Sequence, residues 1–583
     1  MRLLRLAEVV VVGVALATRA AGLASVDGTR AARYPQVDAL TYWEQALALA
    51  QGVDPFPEGY YQPPGYPWFL AALGSLTGRP ELGVTRLVQA GMGDATVALL
   101  VLLGRRLGER VGARWVGAAA GLVYALSPTP LLFELDILTP ALTNLLLVLA
   151  MAALGVADAP RPWRAGLAGL SLGLAAEVHP TFLVPAALLL AHAGWRPPTR
   201  PAAMALAAGL LLGVAPTLST NLLRFHQPVV VSLNGGINLY LGNNPGWRDT
   251  SFLRPGLPFR QLALEAEPDR RDQAARDRYW RDRAFAESAA HPDAWLGAVA
   301  TRLMWSVNDT EIPRNEDYRC RTRTGPLAWV GRLPLRYGLI FPLAVLGAWV
   351  WARRSPAAAR LLVLWLGLHL PMVLFLVADR YRLATWPLLS LFAPIGLAAL
   401  VDAARVWKQA GRTSPAVLLL VPAAVLPWMP IDARTALQPA WCLHSEANLA
   451  LSDGATDEAR LLYEQAVALD PRDIGAWVLL ADQRARRNDI AGAVAAMEPV
   501  LAAFPDHYPS LMAMSGYLRS RGDLDGAIAF LTRAYNVPGE RTNTGVRLVR
   551  LLVEARRPEA IRALLSADQA LASHPDVRKM IQE

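Results

Sequence analysis

Long apolar runs separated by short polar connectors occupy most of the first 430 residues. A helix of about 20 apolar residues is long enough to cross the hydrocarbon core of a bilayer, which is about 30 Å thick. The pattern therefore predicts a polytopic helical membrane domain of about eleven spans or half-spans. We place these segments near 6–24, 82–104, 113–133, 137–157, 166–178, 181–192, 202–220, 335–352, 358–378, 383–402 and 413–430.

The basic residues of this region set the predicted orientation of the spans. Arg and Lys gather in the connectors 105–114, 161–164, 196–200, 353–354 and 405–412, which are therefore expected on the cytoplasmic side. The run 166–191 must be split into two membrane segments if the connector 196–200 is to lie on the cytoplasmic side. His179-Pro180 supplies the break, because proline lacks a backbone donor. The segments 25–80 and 221–334 and the C-terminal region are then predicted to be extracytoplasmic.

The pattern changes to a helical repeat after about residue 440. Ala459, Ala493 and Ala527 recur at intervals of 34 residues, and Pro471 and Pro505 have the same offset. The stretch DEARLLYEQAVALDP (457–471) is typical of the second helix of a tetratricopeptide repeat, in which small residues let paired helices pack closely. We therefore predict an all-α protein, with a transmembrane helical bundle over 1–430 and a tetratricopeptide α-solenoid over 440–583.

Composition narrows the function class. Of the 583 residues, 54% are hydrophobic and only 18% are charged, which excludes an ordinary soluble enzyme. The formal charge of +9 comes mainly from arginines in the connectors, so membrane topology explains it and we expect no nucleic-acid partner. The two cysteines, Cys320 and Cys442, are both predicted to be extracytoplasmic, where a disulfide and two free thiols are alternatives.

A lone carboxylate follows the first apolar segment. In VDALTYWEQALA (37–48), Asp38 and Tyr42 share one face of a helix. The next stretch, YYQPPGYPWFLAAL (60–73), contains prolines that fix an extended or turning backbone. Two interpretations are open: an amphipathic helix at the membrane surface with an aromatic belt, or an active site in which Asp38 works as an acid or base.

A resemblance to a known family favours the second interpretation. Asp38 and Tyr42, followed by Pro63-Pro64-Gly65-Tyr66-Pro67, resemble the first outer loop of the C-type glycosyltransferase superfamily. The similarity is closest to bacterial family-39-like enzymes, the protein mannosyltransferase and aminoarabinose transferase group. GGINLYLGNN (235–244), preceded by Asn221, resembles a later segment of that family, and DRYRLATWPLL (379–389) resembles its entry to a late span.

The resemblance implies inverting transfer of a sugar from a polyprenyl-phosphate donor to a glycan, lipid or protein acceptor. In such an enzyme Asp38 would accept the proton of the acceptor, with Tyr42 beside the substrate. Arg380 and Arg382 would bind the donor phosphate, because guanidinium can bond two oxygens at once. The implied location is the outer face of a bacterial cytoplasmic membrane, with the tetratricopeptide domain also outside and open to a protein partner.

Other polar residues are candidates for substrate binding, each with a structural alternative. Glu134 and Asp136 lie at a predicted outer turn and either assist the site or are solvated; the family's expected Glu is replaced by Pro140. His179 either contacts phosphate or pairs with Glu177. Asn238, Asn243 and Asn244 either recognise a substrate or form a turn rich in asparagine.

Neither a metal-ligand motif nor a nucleotide-binding loop is present in the sequence, and no cofactor is assigned. An ion held in part by Asp38 stays an open alternative. Two other functions compete with the transferase: a transporter of lipid-linked sugars, and a membrane anchor whose repeats recruit envelope proteins. Broken helices would suit a transporter, but the two halves lack the repeat symmetry that such folds often have.

Overall fold

The structure is a computed structural model that describes residues 2–154, 160–194, 199–266, 272–315, 317–323, 325–410, 418, 420–431, 438–537 and 541–582. All regular secondary structure within these residues is helical, so the predicted fold class is confirmed: a helical membrane bundle followed by a tetratricopeptide solenoid. The chain divides into two compact units. The first comprises Met1–Pro255 and Ala263–Thr435, and the second comprises Gly256–Leu262 and Ala436–Glu583.

The first half of the first unit contains the helices α1 (Arg2–Val26), α2 (Arg30–Arg33), α3 (Asp38–Ala50), α4 (Gly65–Thr77), α5 (Leu82–Arg110), α6 (Val116–Ala125), α7 (Pro128–Glu134), α8 (Pro140–Leu154), α9 (Pro162–Val178), α10 (Leu183–Gly194) and α11 (Arg200–Leu223).

The later helices before residue 430 are α12 (Gly235–Gly242), α13 (Trp247–Thr250), α14 (Leu257–Leu264), α15 (Gln273–Ala290), α16 (Pro292–Ser306), α17 (Tyr318–Arg323), α18 (Tyr337–Ala352), α19 (Pro356–Leu374), α20 (Asp379–Arg382), α21 (Trp386–Ala410) and α22 (Leu420–Val425). Most of α14 groups with the second unit.

Five helices in the described part of the chain are long and apolar enough to cross a membrane: Leu4–Val26, Leu82–Arg110, Arg200–Leu223, Pro356–Leu374 and Asp379–Gln409. The predicted segment 113–133 is instead two helices, α6 and α7, bent by 61°. Several other predicted segments are shorter apolar helices, among them Pro140–Leu154, Pro180–Gly194 and Tyr337–Ala352. Arg196, Arg412 and part of the segment 413–430 lie outside the described residues.

The break predicted at His179-Pro180 is present, because α9 ends at Val178 and a short 3-10 turn over Pro180–Phe182 leads into α10. Helices α9 and α11 then pack along a line of glycines. A Cβ on Gly169 would overlap the backbone of Leu206, and one on Gly209 would overlap the carbonyl of Gly166. Small residues therefore let the two backbones touch, as is typical of helix pairs in membranes.

The second unit contains α23 (Gln438–Ser452), α24 (Thr456–Leu469), α25 (Ile474–Arg486), α26 (Ile490–Ala503), α27 (Tyr508–Ser520), α28 (Leu524–Asn536), α29 (Arg541–Glu554), α30 (Pro558–Ala567), α31 (Gln569–Ala572) and α32 (Pro575–Gln582).

The 34-residue period corresponds to consecutive helix pairs in this unit. Ala459, Ala493 and Ala527 occupy equivalent positions in α24, α26 and α28 and are fully buried between paired helices. Asp473 and Asp489 precede α25 and α26 and accept a backbone N–H of the first turn, which satisfies a donor that would otherwise lack a partner. Neither cysteine of the described chain is a free thiol.

Candidate active site

Asp38 is the first residue of α3. Its carboxylate is buried, and side chains from three other parts of the chain form hydrogen bonds with it. Oδ1 accepts from Gln62 Nε2 at 3.1 Å, and Oδ2 accepts from Asn315 Nδ2 at 3.1 Å. Oδ2 also forms an ion pair with the guanidinium of Arg380. The preceding residue, Val37, has φ +53°, a backbone conformation that is strained for a β-branched side chain.

Aromatic packing fixes the position of α3. Tyr42 lies one turn after Asp38, and its ring meets that of Tyr66 edge to face with 5.3 Å between centroids. The Tyr66 hydroxyl donates to Gln89 Oε1 on α5 at 2.5 Å. Gly65 leaves room for the end of α9, because a Cβ there would come within 2.6 Å of the Glu177 carbonyl oxygen. The PPGYP stretch therefore anchors the segment 25–80 to two helices.

Arg380 connects Asp38 to a second aromatic group. Its Nη2 donates to the Tyr381 hydroxyl at 3.2 Å, and its guanidinium lies 5.0 Å from the centre of that ring. The Tyr381 ring in turn contacts the His179 imidazole edge to face at 5.0 Å. His179 Nδ1 is bonded to Thr181 Oγ1 at 2.6 Å, so His179 is oriented beside this cluster.

Charge decides the ionisation state of Asp38. Burial alone would raise the pKa of the carboxyl, but the charge of Arg380, hydrogen bonds from Arg380 and Asn315, and the charge of Arg314 hold the pKa below its usual value of 3.8. Burial and the negative charge of Asp38 raise the pKa of Tyr42. At neutral pH the site therefore contains an ionised Asp38 beside a protonated phenol.

A small cavity adjoins the Asp38–Arg380 pair. Asp136 lies in it and forms an ion pair with Arg321 at 3.4 Å. The backbone of Asp136 is held by α5, since its carbonyl accepts from Gln89 Nε2 at 2.5 Å. The residues that line the cavity are Leu132, Phe133, Asp136, Leu138, Asn315, Arg321, Asp379 and Arg380.

Arg382 belongs to a different cluster from Arg380. Its guanidinium is buried, forms an ion pair with Glu311, donates to the carbonyl of Asn308 and lies 4.1 Å from the centre of the Tyr337 ring. Glu311 also accepts from Thr129 Oγ1 at 3.0 Å. In this arrangement the hydrogen-bonding groups of Arg382 hold the segment 221–334 to the helices.

Glu134 also lies away from Asp38, in a buried charge cluster. It pairs with Arg19 of α1 at 2.8 Å, and Arg19 lies 3.5 Å from Asp94 of α5. Gly93 makes room for this cluster, because a Cβ there would overlap the Glu134 carboxylate. The two acids of the predicted turn are therefore separated: Asp136 lies at the cavity, and Glu134 connects three helices. Glu177, proposed as a partner of His179, is bonded to Thr217 instead.

The asparagine segment makes local and packing contacts. Asn238 Nδ2 donates to the Asn234 carbonyl at 2.8 Å, and Asn244 Nδ2 donates to the Tyr240 carbonyl at 2.7 Å. Asn243 is buried; its Nδ2 donates to the Leu374 carbonyl at 2.7 Å, and its Oδ1 accepts from Arg302 at 3.0 Å. Asn243 is thus joined to α16 and α19, whereas Asn238 and Asn244 bond within their own segment, and none of these bonds reaches Asp38.

The sequence reasoning missed four residues of the site: Gln62, Asn315, Arg321 and Asp379. Asn315 belongs to NDTEIPRNED (308–317), a polar run inside the segment 221–334. The described residues of this run are largely buried. The many charged residues in one short stretch were the sequence signal that could have identified Asn315 as a site residue. In the part of the chain that the structure describes, no group of three or more His, Cys, Asp or Glu side chains is arranged to hold a metal ion.

Solved structures of several proteins are similar to this chain. Archaeal oligosaccharyltransferase AglB from Archaeoglobus fulgidus, in complex with an inhibitory peptide and a dolichol-phosphate, is 14% identical with a TM-score of 0.40 over 72% of this chain and 55% of its own. The apo form of the Archaeoglobus fulgidus oligosaccharyltransferase gives 13% and 0.39 over 72% and 54%. The chain spans about half the length of these proteins.

A different protein is similar over a smaller share of the chain. MamA from Desulfovibrio magneticus RS-1 is 12% identical with a TM-score of 0.21 and covers 30% of this chain and 94% of its own. No curated protein matches the chain by sequence. The tetratricopeptide repeat family matches residues 450–514. The helix pairs within residues 450–514 are therefore tetratricopeptide repeats.

Proposed function

We propose that the protein transfers a sugar from a polyprenyl-phosphate donor to an acceptor at the extracytoplasmic face of a bacterial cytoplasmic membrane. The observation that carries the proposal is the buried pair of Asp38 and Arg380, which supplies a carboxylate base and a phosphate ligand in one place. The residues that resemble the family-39-like enzymes at both ends of the first unit thereby meet, with Tyr42, Tyr381 and His179 around them.

The reaction needs few groups. The acceptor oxygen or nitrogen attacks the anomeric carbon, its proton passes to the Asp38 carboxylate, and the bond from carbon to the phosphate oxygen breaks. The electron pair leaves with the polyprenyl phosphate, whose charge Arg380 stabilises. Gln62, Asn315 and Arg380 occupy three of the roughly four lone-pair positions of the Asp38 carboxylate, which leaves a position on Oδ1 for the proton of the acceptor.

The remaining predicted residues receive unequal roles in the proposal. Asp136 and His179 stay candidate substrate ligands because they lie beside the Asp38–Arg380 pair. Arg382 and Glu134 support the site through their own ion pairs, and Asn238, Asn243 and Asn244 support the outer loop. The tetratricopeptide unit is proposed to bind a protein, either the acceptor or an envelope partner.

The test is sugar transfer by membranes that contain Asp38→Asn. Wild-type membranes given radiolabelled polyprenyl-phosphate sugars should label an envelope acceptor, and Asp38→Asn should lower the rate at least 100-fold, as expected for loss of a general base. The matched control is Asp54→Asn, because Asp54 is in the same loop but forms a half-exposed ion pair with Arg224. Its rate should stay within twofold of wild type.

Three outcomes would contradict the proposal. If Asp38→Asn transfers sugar at the wild-type rate while both variants are expressed and folded, Asp38 is not the base. If wild-type membranes transfer none of the sugars but move a labelled lipid-linked sugar across the bilayer, the transporter alternative holds. If wild type transfers no sugar, and an envelope partner is lost only when residues 440–583 are removed, the scaffold alternative is favoured.

A further inference from the structure

Helix α16 has an apolar strip that no described residue covers. Leu296 and Leu303 are 59% and 55% exposed, and Ala300 between them is exposed as well. The three residues share one side of the helix, because they are spaced by four and three positions. At Gly297, which is also exposed, a Cβ would meet no atom within 4 Å. An open strip of this kind, on a helix of the segment 221–334, indicates an apolar occupant.

The strip contains no charge beyond the first turn of α16. Asp293 lies in that first turn, and the other charged residue, Arg302, is buried. Arg302 Nε donates to the Val373 carbonyl of α19 at 2.7 Å. Trp305 of α16 packs in the same region, in an apolar cluster with Met372 of α19. One face of α16 is therefore fastened to α19, and a different face is apolar and open.

Helix α19 sets the level at which α16 lies. It is one of the helices long and apolar enough to cross a membrane, and Val373 precedes its last residue, Leu374. The connector 353–354 before α19 is basic and expected on the cytoplasmic side, so Leu374 is expected at the outer end. Leu366 and Leu374 are both exposed, so the lipid-facing surface of α19 continues to that end. The bond from Arg302 thus places α16 where this surface meets the outside.

The C-terminal end of α16 is held at a second membrane segment. Two residues after the helix, Asn308 Nδ2 donates to the Met429 carbonyl at 2.7 Å. Met429 lies at the end of the predicted segment 413–430, and the neighbouring Trp428 is exposed. Tryptophan is enriched where a bilayer meets water. Helix α16 therefore connects the outer ends of two membrane segments.

The length of α16 decides how it can contact a bilayer. Its 15 residues rise about 22 Å, which is shorter than the hydrocarbon core of about 30 Å, so it does not span. A short helix with one apolar face lies in the plane of the interface, with that face among the acyl chains. Lipid already adjoins both segments that hold α16, so the outer leaflet covers the strip without any further molecule.

We propose that α16 is an interfacial helix whose strip of Leu296, Ala300 and Leu303 is embedded among the lipids of the outer leaflet. The chain that follows α16 leads to Asn315, which bonds to Asp38, so the helix sets the distance of the candidate site from the bilayer. The inference is independent of sugar transfer: it holds or fails whether or not Asp38 is the base.

The test compares three leucines of similar exposure, each replaced by cysteine and labelled with a fluorophore. The full-length protein is held as a single copy in lipid nanodiscs. Leu303→Cys reports on α16, Leu366→Cys (57% exposed in wild type) on a membrane-spanning helix, and Leu461→Cys (49%) on α24 of the second unit. The native cysteines are not free thiols, so the introduced cysteine takes the label. The quenchers are aqueous iodide and lipids that carry a nitroxide near the headgroup or near the end of the acyl chain.

The fluorophore at Leu303→Cys should be quenched more by the headgroup nitroxide than by the chain-end nitroxide. Iodide should quench it about threefold less than the fluorophore at Leu461→Cys. Leu366→Cys should show the reverse order of the two nitroxides, because Leu366 lies about 12 Å along α19 from Leu374. Leu296→Cys, on the same strip, repeats the measurement and should behave as Leu303→Cys does.

Two results would overturn the proposal. If iodide quenches Leu296→Cys and Leu303→Cys as strongly as Leu461→Cys, the strip faces water. If neither iodide nor either nitroxide lipid quenches them, while Leu366→Cys and Leu461→Cys respond as expected, protein covers the strip. Both results leave the transferase proposal unchanged, because they do not concern the Asp38–Arg380 pair.

Discussion

Asp38 and Arg380 are 342 positions apart in the chain and form an ion pair whose side chains are only 11% and 15% exposed. A buried pair of this kind contributes little net stability, but removing one partner leaves an uncompensated charge and costs about 3–5 kcal/mol. The pair thus joins the first and the last parts of the membrane unit, and its energetics can be measured separately from catalysis.

Arg380→Gln should destabilise the protein by about 3–5 kcal/mol, because Asp38 stays ionised and loses its cation. The double variant Asp38→Asn/Arg380→Gln should cost clearly less than the sum of the two single variants, since neither charge is then left alone. Thermal unfolding in detergent measures all three. As a control, Arg224→Gln at the half-exposed pair with Asp54 should cost less than about 1 kcal/mol. If the losses of stability in the two single variants add up to the loss in the double variant, the two charges do not interact, and the buried ion pair is contradicted.

The depressed pKa of Asp38 predicts how stability changes with pH. A carboxyl whose pKa is lower in the folded than in the unfolded state binds fewer protons when folded, so its stabilising contribution is present above the unfolded value of 3.8. That contribution is lost as the pH falls through the folded value. The unfolding midpoint of wild type should therefore fall below pH 4 by more than that of Asp38→Asn. If the unfolding midpoints of wild type and Asp38→Asn fall by the same amount as the pH is lowered, the prediction is wrong.

Two neighbouring glycines of α12 should respond differently to alanine. A Cβ on Gly236 would overlap the Asp277 carbonyl of α15, whereas on Gly235 its nearest neighbour is Asp277 Oδ1 at 3.8 Å. We expect Gly236→Ala to destabilise the protein by about 1–3 kcal/mol, as overpacking does. Gly235→Ala should be neutral or stabilising by up to about 1 kcal/mol. Limited proteolysis of the outer loop and thermal unfolding measure both; equal effects would contradict the close helix contact.

Arg19 should be a stability residue. Arg19→Met leaves the buried Glu134 and Asp94 without a cation and should cost about 3–5 kcal/mol. Arg105→Met, at the more exposed pair with Glu8, should cost less than about 1 kcal/mol. Thermal unfolding measures both variants. If Arg19→Met is as stable as wild type but has lost sugar transfer, Glu134 is instead a residue of the substrate site.

Much of this architecture follows from sequence periodicity. The tetratricopeptide spacing and the break at His179-Pro180 could be predicted because alanine and proline act within a few residues of their own position. The bend between α6 and α7 could not be seen in hydropathy, since both halves are equally apolar. Pattern alone therefore finds the helices but not every change in their direction.

The site is harder to predict because its contacts join distant segments. Asp38 and Arg380 were predicted from separate motifs, yet the contact of Asn315 with Asp38 depends on how the segment 221–334 folds back. Glu134 and Asp136 are two positions apart in the sequence, and only helix packing assigns one to Arg19 and the other to the cavity. Asn243 likewise has its principal partners, Arg302 and Leu374, far along the chain.

The backbone at Val37 has a consequence for the whole first loop. Holding valine at φ +53° costs on the order of 1–3 kcal/mol, which the contacts of the following helix must offset. Glycine would adopt the same geometry without penalty, but it would also let the segment swing through many other directions. The strained valine at position 37 permits few backbone orientations. This suits a loop in which the next residue, Asp38, must point in the same direction in every molecule.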